Sequence, residues 1–296
     1  MHMMKKMLAF LCCLVMFCPS VIAEEATPLL EVHQMVLGYA DGYFIRCGDI
    51  EIMIDGGNPN PKNPTDDVVN NLRALGATEL DAYIITHWHL DHCMNMNVVL
   101  SEFGGEGTVT YGASDVPPDE IDYEGRKIPI GPVVNGVYQQ MLVDDVIQLG
   151  PLTITCIGPD SLAQNGRCNS DSLNFVLQYG TRRMLFTGDY AQSGEINKRY
   201  PELCGDVDVL KFPHHGGKPY EIGNIACRTA SPEYVLIPSQ LNAYQVYQFI
   251  RGNGVPLERE KALSNRNGHV VILTDGGDYI EALSDQNPAD YAPKAE

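Results

Sequence analysis

The most constraining feature of this chain is a polar segment that directly follows a buried strand. Asp81–Thr86 is a short apolar run of the kind that forms a buried strand, and it continues into His87-Trp-His89-Leu-Asp91-His92. Three of the eight histidines of the chain therefore lie within six residues. Because residues i and i+2 point the same way in extended backbone, His87 and His89 can address one metal ion and Asp91 and His92 a second. A histidine-rich surface loop without metal is the alternative interpretation.

Two later apolar segments end in the same way. Met184–Thr187 is followed by a glycine and Asp189, and Val207–Phe212 is followed by a proline, His214 and His215. A carboxylate at the end of a strand can bridge two metal ions. Because adjacent side chains diverge, we expect one of the two late histidines to ligate and the other to face substrate. Imidazole nitrogen and carboxylate oxygen suit zinc, iron or manganese, and a site without thiolate can keep a position open for water.

The remaining pattern indicates an α/β (α+β) fold in which two sets of mostly antiparallel strands form two packed sheets with helices outside. Asp66–Leu75 has helical spacing with Gly76 as its stop, and Ala243–Ile250 is a second candidate helix. Gly104–Gly136, rich in glycine, proline and acids, is predicted to form a long loop or a small insertion. Further strands are predicted at Gly42–Cys47, Ile50–Ile54, Leu152–Ile157, Leu173–Gln178, Val270–Thr274 and Tyr279–Leu283.

The first 23 residues have the pattern of a signal peptide. Lys5 and Lys6 precede an apolar run from Met7 to Phe17, and small residues stand before a cleavage point after Ala23. Eleven apolar residues are too few to span a bilayer as a helix, so no integral membrane segment is expected after cleavage. We therefore predict a secreted or cell-envelope protein with a single domain over residues 24–296.

Charge and cysteine content limit the partners and the redox state. The formal charge is −18, and removal of the two lysines of the signal would make it −20. This excess of acid argues against nucleic-acid binding through a basic face. Disulfides are expected in an exported chain, with isolated buried thiols as the alternative. Six cysteines, an even number, lie after the signal: Cys47, Cys93, Cys156, Cys168, Cys204 and Cys227.

The order of these segments resembles that of the metallo-β-lactamase-fold hydrolases over about residues 31 to 284. A turn at Asp55 comes first, then the HxHxDH signature, then an Asp after a strand and a late histidine. Within that superfamily, Asn169–Ser172, Thr187–Asp189 and Asp208–Gly216 are similar to the metallohydrolase domain of the DNA-uptake competence (ComEC-type) proteins. The resemblance implies a four-layer αββα metallo-β-lactamase fold, with two packed mixed sheets and helices outside.

The resemblance also implies roles for individual residues. Asp55 would hold the HxHxDH loop by hydrogen bonds. Asp91 would accept a proton beside the attacking water, and His215 would face the substrate, as the two catalytic candidates. The expected cofactor is one or two divalent metal ions, zinc first, with manganese as the alternative. The implied metal ligands, with His215 open as the alternative to the last, are His87, His89, Asp91, His92, Asp189 and His214.

One position departs from the superfamily pattern. Its usual third histidine on the first metal lies between the HxHxDH signature and the bridging acid, but no histidine occurs between His92 and His214. Asn169–Ser172 occupies that place. The number of metal ions, one or two, is therefore open. Gly38–Asp41 resembles the early Gly-Asp turn of the competence-type domains.

These observations predict a metal-dependent hydrolase that uses a metal-activated water. The resemblance favours a phosphodiester, whereas the acidic charge favours a small molecule or a short phosphodiester over long duplex. We therefore expect nucleic acid only as a substrate and not as a partner bound through a basic surface. The alternatives are a hydrolase of a lactone, thioester or β-lactam on the same fold, or a non-catalytic metal-dependent binding protein.

Overall fold

Two large β-sheets face each other in this protein. The computed structural model describes residues 27–57, 67–190, 201–217, 228–238 and 243–293. The predicted signal peptide and Cys227 lie outside the described residues. Elements are numbered in chain order within this part of the sequence.

The first sheet contains eight strands and the second seven. In spatial order, the first sheet consists of β17 (Ile280–Gln286), β16 (His269–Thr274), β1 (Leu30–Gln34), β2 (Tyr43–Cys47), β3 (Ile50–Ile54), β4 (Leu80–Ile85), β5 (Gly104–Gly112) and β8 (Val137–Gln140). The second consists of β15 (Ala262–Ser264), β14 (Tyr234–Ile237), β13 (Val209–Lys211), β12 (Arg182–Phe186), β11 (Asn174–Tyr179), β10 (Leu152–Gly158) and β9 (Val146–Leu149). A separate ribbon pairs β6 (Glu120–Tyr123) with β7 (Arg126–Pro129). The described α-helices are α1 (Val68–Ala74), α2 (Leu90–Cys93), α3 (Met96–Phe103), α4 (Pro201–Cys204) and α5 (Ala243–Gly252).

The alternation of side chains along the central strands produces four layers. In β2, Tyr43 and Ile45 point into the core between the sheets, whereas Phe44 points to the helices outside. Residues on α1 and α3 cover the outer face of the first sheet, and residues on α5 cover that of the second: Leu72, Val99 and Leu100 in the first case, Val246 and Ile250 in the second. The predicted αββα arrangement with two mixed sheets is thereby confirmed.

Parallel strand pairs bring the polar segments to one edge of the sandwich. β3 runs parallel to β4 in the first sheet, and β12 runs parallel to β13 in the second. Because parallel strands end at the same edge, the residues that follow these four strands lie together. Asp55, the HxHxDH segment, Asp189 and the late histidines are the residues so placed.

The prediction of a loop over Gly104–Gly136 is wrong for its first part. Gly104–Gly112 forms the nine-residue strand β5, which is hydrogen-bonded to β4 on one side and β8 on the other. The glycines that suggested a loop lie where other parts of the chain come close to the backbone of β5. A Cβ on Gly112 would lie 2.4 Å from the Tyr138 hydroxyl oxygen, and one on Gly104 would lie 2.5 Å from the Leu100 carbonyl oxygen.

The helix predicted over Asp66–Leu75 is found at Val68–Ala74, with the Asp67 side chain accepting a hydrogen bond from the Asn70 N–H at its start. No helix in the described ranges is both long and apolar enough to cross a membrane. All the described cysteines are free thiols, namely Cys47, Cys93, Cys156, Cys168 and Cys204. Within this part of the chain, free thiols therefore stand in place of the expected disulfides, and all but Cys168 are buried.

Substitution of Phe175 by Ala should strongly destabilise the protein. Its ring stacks on Phe186 with 5.3 Å between centroids, and Tyr43 meets Phe186 edge-on at 5.4 Å, in the core between the sheets. We expect a loss of about 3–5 kcal/mol in the free energy of unfolding, measured by denaturant titration. The control Val98→Ala, at a 55% exposed position on α3, should change it by less than about 0.5 kcal/mol. Equal losses in the two variants would contradict this packing.

Candidate metal centre

Four side chains converge at the edge where the two sheets meet. One ligand atom from each of Asp41, His92, Asp189 and His215 lies within 4.8 Å of the others. The Nε2 atoms of His92 and His215 are 3.3 and 3.4 Å from the same Asp189 oxygen, Oδ2. Asp91 joins them, with its Oδ2 3.2 Å from His215 Nε2. Imidazoles and carboxylates in this arrangement are a donor set for a divalent cation.

Each of the two histidines is oriented by a buried carboxylate behind it. Asp55 Oδ2 is 2.8 Å from His92 Nδ1, and Asp41 Oδ1 is 3.0 Å from His215 Nδ1. A carboxylate on Nδ1 fixes the tautomer that leaves Nε2 free for a metal. Both Nε2 atoms therefore point to Asp189.

Asp55 also ties β3 to the HxHxDH segment. Its two oxygens accept hydrogen bonds from the Thr86 N–H and the Thr86 hydroxyl, both at 2.8 Å. The residue adopts a left-handed conformation with φ 52°, which aspartate tolerates better than most residues. The predicted role of Asp55 in holding this loop by hydrogen bonds is confirmed.

A buried lysine lies beneath the cluster. Lys211 is 2% exposed, and its ammonium group contacts the Asp41 carboxylate. It donates to the Gly188 carbonyl at 2.6 Å and lies 3.7 Å from Asp189 Oδ1. Burial lowers the pKa of Lys211, but Asp41 and Asp189 more than offset this and raise the pKa above its ordinary value. Lys211 is thus a fixed positive charge in the site.

The histidines of the site fall into two electrostatic groups. Burial lowers the pKa of His92 and of His215, but the carboxylates around them, Asp189 first, raise both pKa values well above the ordinary one. By contrast, burial lowers the pKa of His87 and of His89. Neutral imidazole is the form that binds metal ions, so the second group is already in its ligating state.

The structure separates the two late histidines. Both adopt left-handed backbone, with φ 53° at His214 and 51° at His215, and their rings turn to different neighbours. His215 joins Asp189, whereas His214 Nε2 lies 3.3 Å from Asn169 Nδ2. His215, which we predicted to face the substrate with ligation as the open alternative, therefore occupies the position beside Asp189 that we had assigned first to His214.

The first pair of predicted ligands lies next to this cluster. The rings of His87 and His89 are 4.5 Å apart between centroids, and His87 is 4.1 Å from His92. His87 is fully buried, and its Nδ1 lies 3.2 Å from the Thr86 hydroxyl. Five predicted ligands thus lie around one centre together with His215, whereas His214 contacts Asn169. The five are His87, His89, Asp91, His92 and Asp189.

Sequence reasoning missed two residues of this centre. Asp41 was noted only as part of a Gly-Asp turn, and Lys211 only as part of the strand before the late histidines. A lysine inside an otherwise apolar strand was an available signal, because a buried ammonium group needs an acidic partner. Its partner, Asp41, precedes β2 and is distant in sequence.

Several buried polar atoms of the centre make no hydrogen bond within the described part of the chain. Such atoms are costly unless something else satisfies them, and nitrogen and oxygen lone pairs converging on one point suit a cation. The residues present therefore fit a divalent metal ion. The atoms concerned are His87 Nε2, His92 Nε2, both ring nitrogens of His215, both carboxylate oxygens of Asp41 and Asp189 Oδ1.

Comparison with known proteins agrees with this geometry. The family model described as the metallo-β-lactamase superfamily matches residues 36–222, which include every side chain of the centre. The chain belongs to the metallo-β-lactamase superfamily. The resemblance drawn from the HxHxDH segment and the later strand ends is thereby confirmed.

Individual proteins are similar to this chain over different shares of their length. ComE operon protein 3 of Bacillus subtilis (strain 168) is 29% identical over 153 residues, 50% of this chain and 18% of that protein, so the chain spans less than a fifth of that relative. The metallo-β-lactamase-fold protein YhfI from Bacillus subtilis shares the fold, with a TM-score of 0.50 and 18% identity over 76% of this chain and 93% of YhfI. MEM-A1, a subclass B3 metallo-β-lactamase isolated from a soil metagenome library, gives a TM-score of 0.43 and 19% identity over 78% of this chain and 95% of its own.

The variant Asp55→Asn should weaken metal binding without unfolding the protein. An asparagine keeps the size and the left-handed backbone of residue 55 but places an amide N–H or a neutral oxygen against His92 Nδ1. We expect zinc affinity, measured by isothermal titration calorimetry, to fall about 10–100-fold. The control Asp49→Asn, in the exposed turn between β2 and β3, should bind zinc as the wild type does. Equal affinities in the two variants would refute the orienting role of Asp55.

Proposed function

We propose that this protein is a metal-dependent hydrolase that acts on a phosphodiester. The observation that carries the proposal is the convergence of His92 Nε2 and His215 Nε2 on Asp189 Oδ2, with Asp91 beside them. Superfamily membership supports hydrolysis, because most of the chemistry known on this fold is metal-assisted hydrolysis.

The proposed ligands form two groups around Asp189. His87, His89 and Asp189 would hold the first metal, and His92, His215, Asp91 and Asp189 would hold the second. A divalent ion bound there would lower the pKa of a water molecule and polarise an oxygen of the substrate.

The chain's own residues would prepare this site for the reaction. Asp41 and Asp55 hold His215 and His92 in their ligating orientation from behind. Lys211 anchors Asp41 and the Gly188 carbonyl, which fixes the turn that carries Asp189. Asp91 is the group placed to accept the proton of the attacking water. Although burial raises its pKa, His92 and His215 lower the pKa of Asp91 to about 2, so it is ionised at neutral pH.

The proposed substrate is small. The similarity to the competence-type metallohydrolase domain favours a phosphodiester, and the formal charge of −18 opposes binding of a long polyanion. A short oligonucleotide, a cyclic nucleotide or a phosphorylated cell-wall component meets both conditions. The signal-like residues 1–23 support action outside the cytoplasm, in the envelope or after secretion.

The test combines metal analysis with turnover. We expect the purified protein to contain zinc or manganese by elemental mass spectrometry and to hydrolyse bis-p-nitrophenyl phosphate with either ion. The variant Asp189→Ala should lose at least a hundredfold in kcat/KM and lose metal, because Asp189 contacts both histidines. The control Asp119→Ala, at an exposed carboxylate, should keep both properties.

The other outcomes separate the remaining functions. Bound metal with turnover of a lactone, thioester or β-lactam but not of the phosphodiester would refute the substrate class and keep hydrolysis. Bound metal with no turnover of any of these substrates would favour a binding protein. A wild-type protein without affinity for zinc or manganese would refute the proposal as a whole.

A further inference from the structure

We infer that the side-chain oxygen of Asn169 is a donor to the first metal, in the place where the superfamily usually has a third histidine. The inference rests on the proposed function, because it requires that His87 and His89 hold an ion. It adds a ligand that the HxHxDH signature does not contain, and with it a preference among metals.

Asn169 lies on a segment that we call the cover loop, residues 163–172. This loop is folded around one buried carboxylate. Asp171, fully buried, accepts hydrogen bonds at 2.6–2.8 Å from the backbone N–H groups of Ala163, Gln164 and Gly166. Three backbone donors on one carboxylate hold the loop in a single conformation.

The cover loop is attached to both halves of the metal centre. The Gly166 carbonyl accepts from the Trp88 backbone N–H at 2.7 Å, between His87 and His89 in the chain. At its other end, the Ser172 hydroxyl accepts from the Asp189 N–H at 3.1 Å. Asn169 therefore lies on the stretch of chain between Gly166, which contacts the HxHxDH segment, and Ser172, which contacts Asp189.

The Asn169 side-chain amide contacts a neighbour through its nitrogen, whereas its oxygen has no hydrogen-bond partner in the described part of the chain. Its Nδ2 lies 3.3 Å from His214 Nε2, and this contact directs the amide oxygen away from His214. That oxygen, Oδ1, is buried and has no hydrogen-bond partner in the described part of the chain, and the same holds for His87 Nε2. A buried amide oxygen without a partner is costly, and a cation shared with His87 would satisfy both atoms.

This donor set predicts the choice of metal. An amide oxygen is a harder ligand than imidazole nitrogen, and oxygen-rich sites favour manganese over zinc more than histidine-rich sites do. With two imidazoles, one amide oxygen and the shared Asp189, the first site should discriminate less against manganese than a three-histidine site would. His214 then acts as a positioning residue, through its contact with Asn169 Nδ2.

The test measures metal content directly. The whole protein is dialysed against graded zinc or manganese, and bound metal is counted by elemental mass spectrometry. We expect two equivalents in the wild type. Asn169→Ala should weaken one of them about tenfold or more and leave the other unchanged. Asn169→Asp, which keeps an oxygen, should retain both, and Asn169→His should increase the ratio of zinc affinity to manganese affinity at the first site. Ser170→Ala, at the exposed neighbouring position, is the matched control and should match the wild type.

The outcomes distinguish this inference from the proposed function. Two equivalents of unchanged affinity in Asn169→Ala would refute the inference and leave the hydrolase proposal intact. A single equivalent in the wild type would refute it in the same way. No bound metal in the wild type would refute both. If Asn169→Ala is unfolded by circular dichroism, the comparison of Asn169→His with the wild type decides, and an unchanged zinc-to-manganese ratio would overturn the inference.

Discussion

Buried negative charge at the edge between the two sheets is the constraint on which the rest of this structure depends. The side chains of Asp41, Asp55 and Asp189 are at most 3% exposed, and Asp91 lies beside them. Isolated carboxylates cannot be buried at this density, because each loses its hydration without a compensating charge. Lys211 supplies one positive charge within the described chain, and the raised pKa values of His92 and His215 show that the pocket attracts more. Divalent ions would supply the rest of that charge and satisfy the free histidine nitrogens.

The two-sheet sandwich can hold this concentration of charge because it keeps the charged side chains apart from its apolar core. Core side chains such as Phe175 and Tyr43 fill the space between the sheets, and the acids are confined to the edge where β3, β4, β12 and β13 end. Backbone requirements at that edge are strict. Gly188 has φ 49°, and a Cβ there would lie 2.8 Å from the Cβ of Ser172, so the turn before Asp189 has room only for glycine. The cover loop is therefore packed directly on the residue that carries the shared carboxylate.

Much of the fold and of the centre could be predicted from the sequence, because the signals were local. HxHxDH after a buried strand, and an acid or histidine after two more, are patterns within a few residues of each other. The strand over Gly104–Gly112 escaped prediction because its glycines satisfy close contacts with Tyr138 and Leu100 that come from other parts of the chain. The places of Asp41 and Lys211 in the centre could not be predicted, because they depend on an ion pair between residues that are distant in the sequence.

From the sequence by itself, strand patterns predicted two packed sheets and motif spacing predicted a metal centre at the ends of three strands. The superfamily followed from the resemblance of these segments to known hydrolases. These signals were available because they lie within short segments. Only the tertiary structure decided that His215 meets Asp189 while His214 meets Asn169, because the two residues are adjacent and alike in sequence. Both residues have left-handed backbone, and the contact with Asp41, which only His215 makes, distinguishes them. The burial of the Asn169 side-chain oxygen without a hydrogen-bond partner also depends on the tertiary structure. It results from the way in which the loop folded around Asp171 packs on the residues that follow the strands of both sheets.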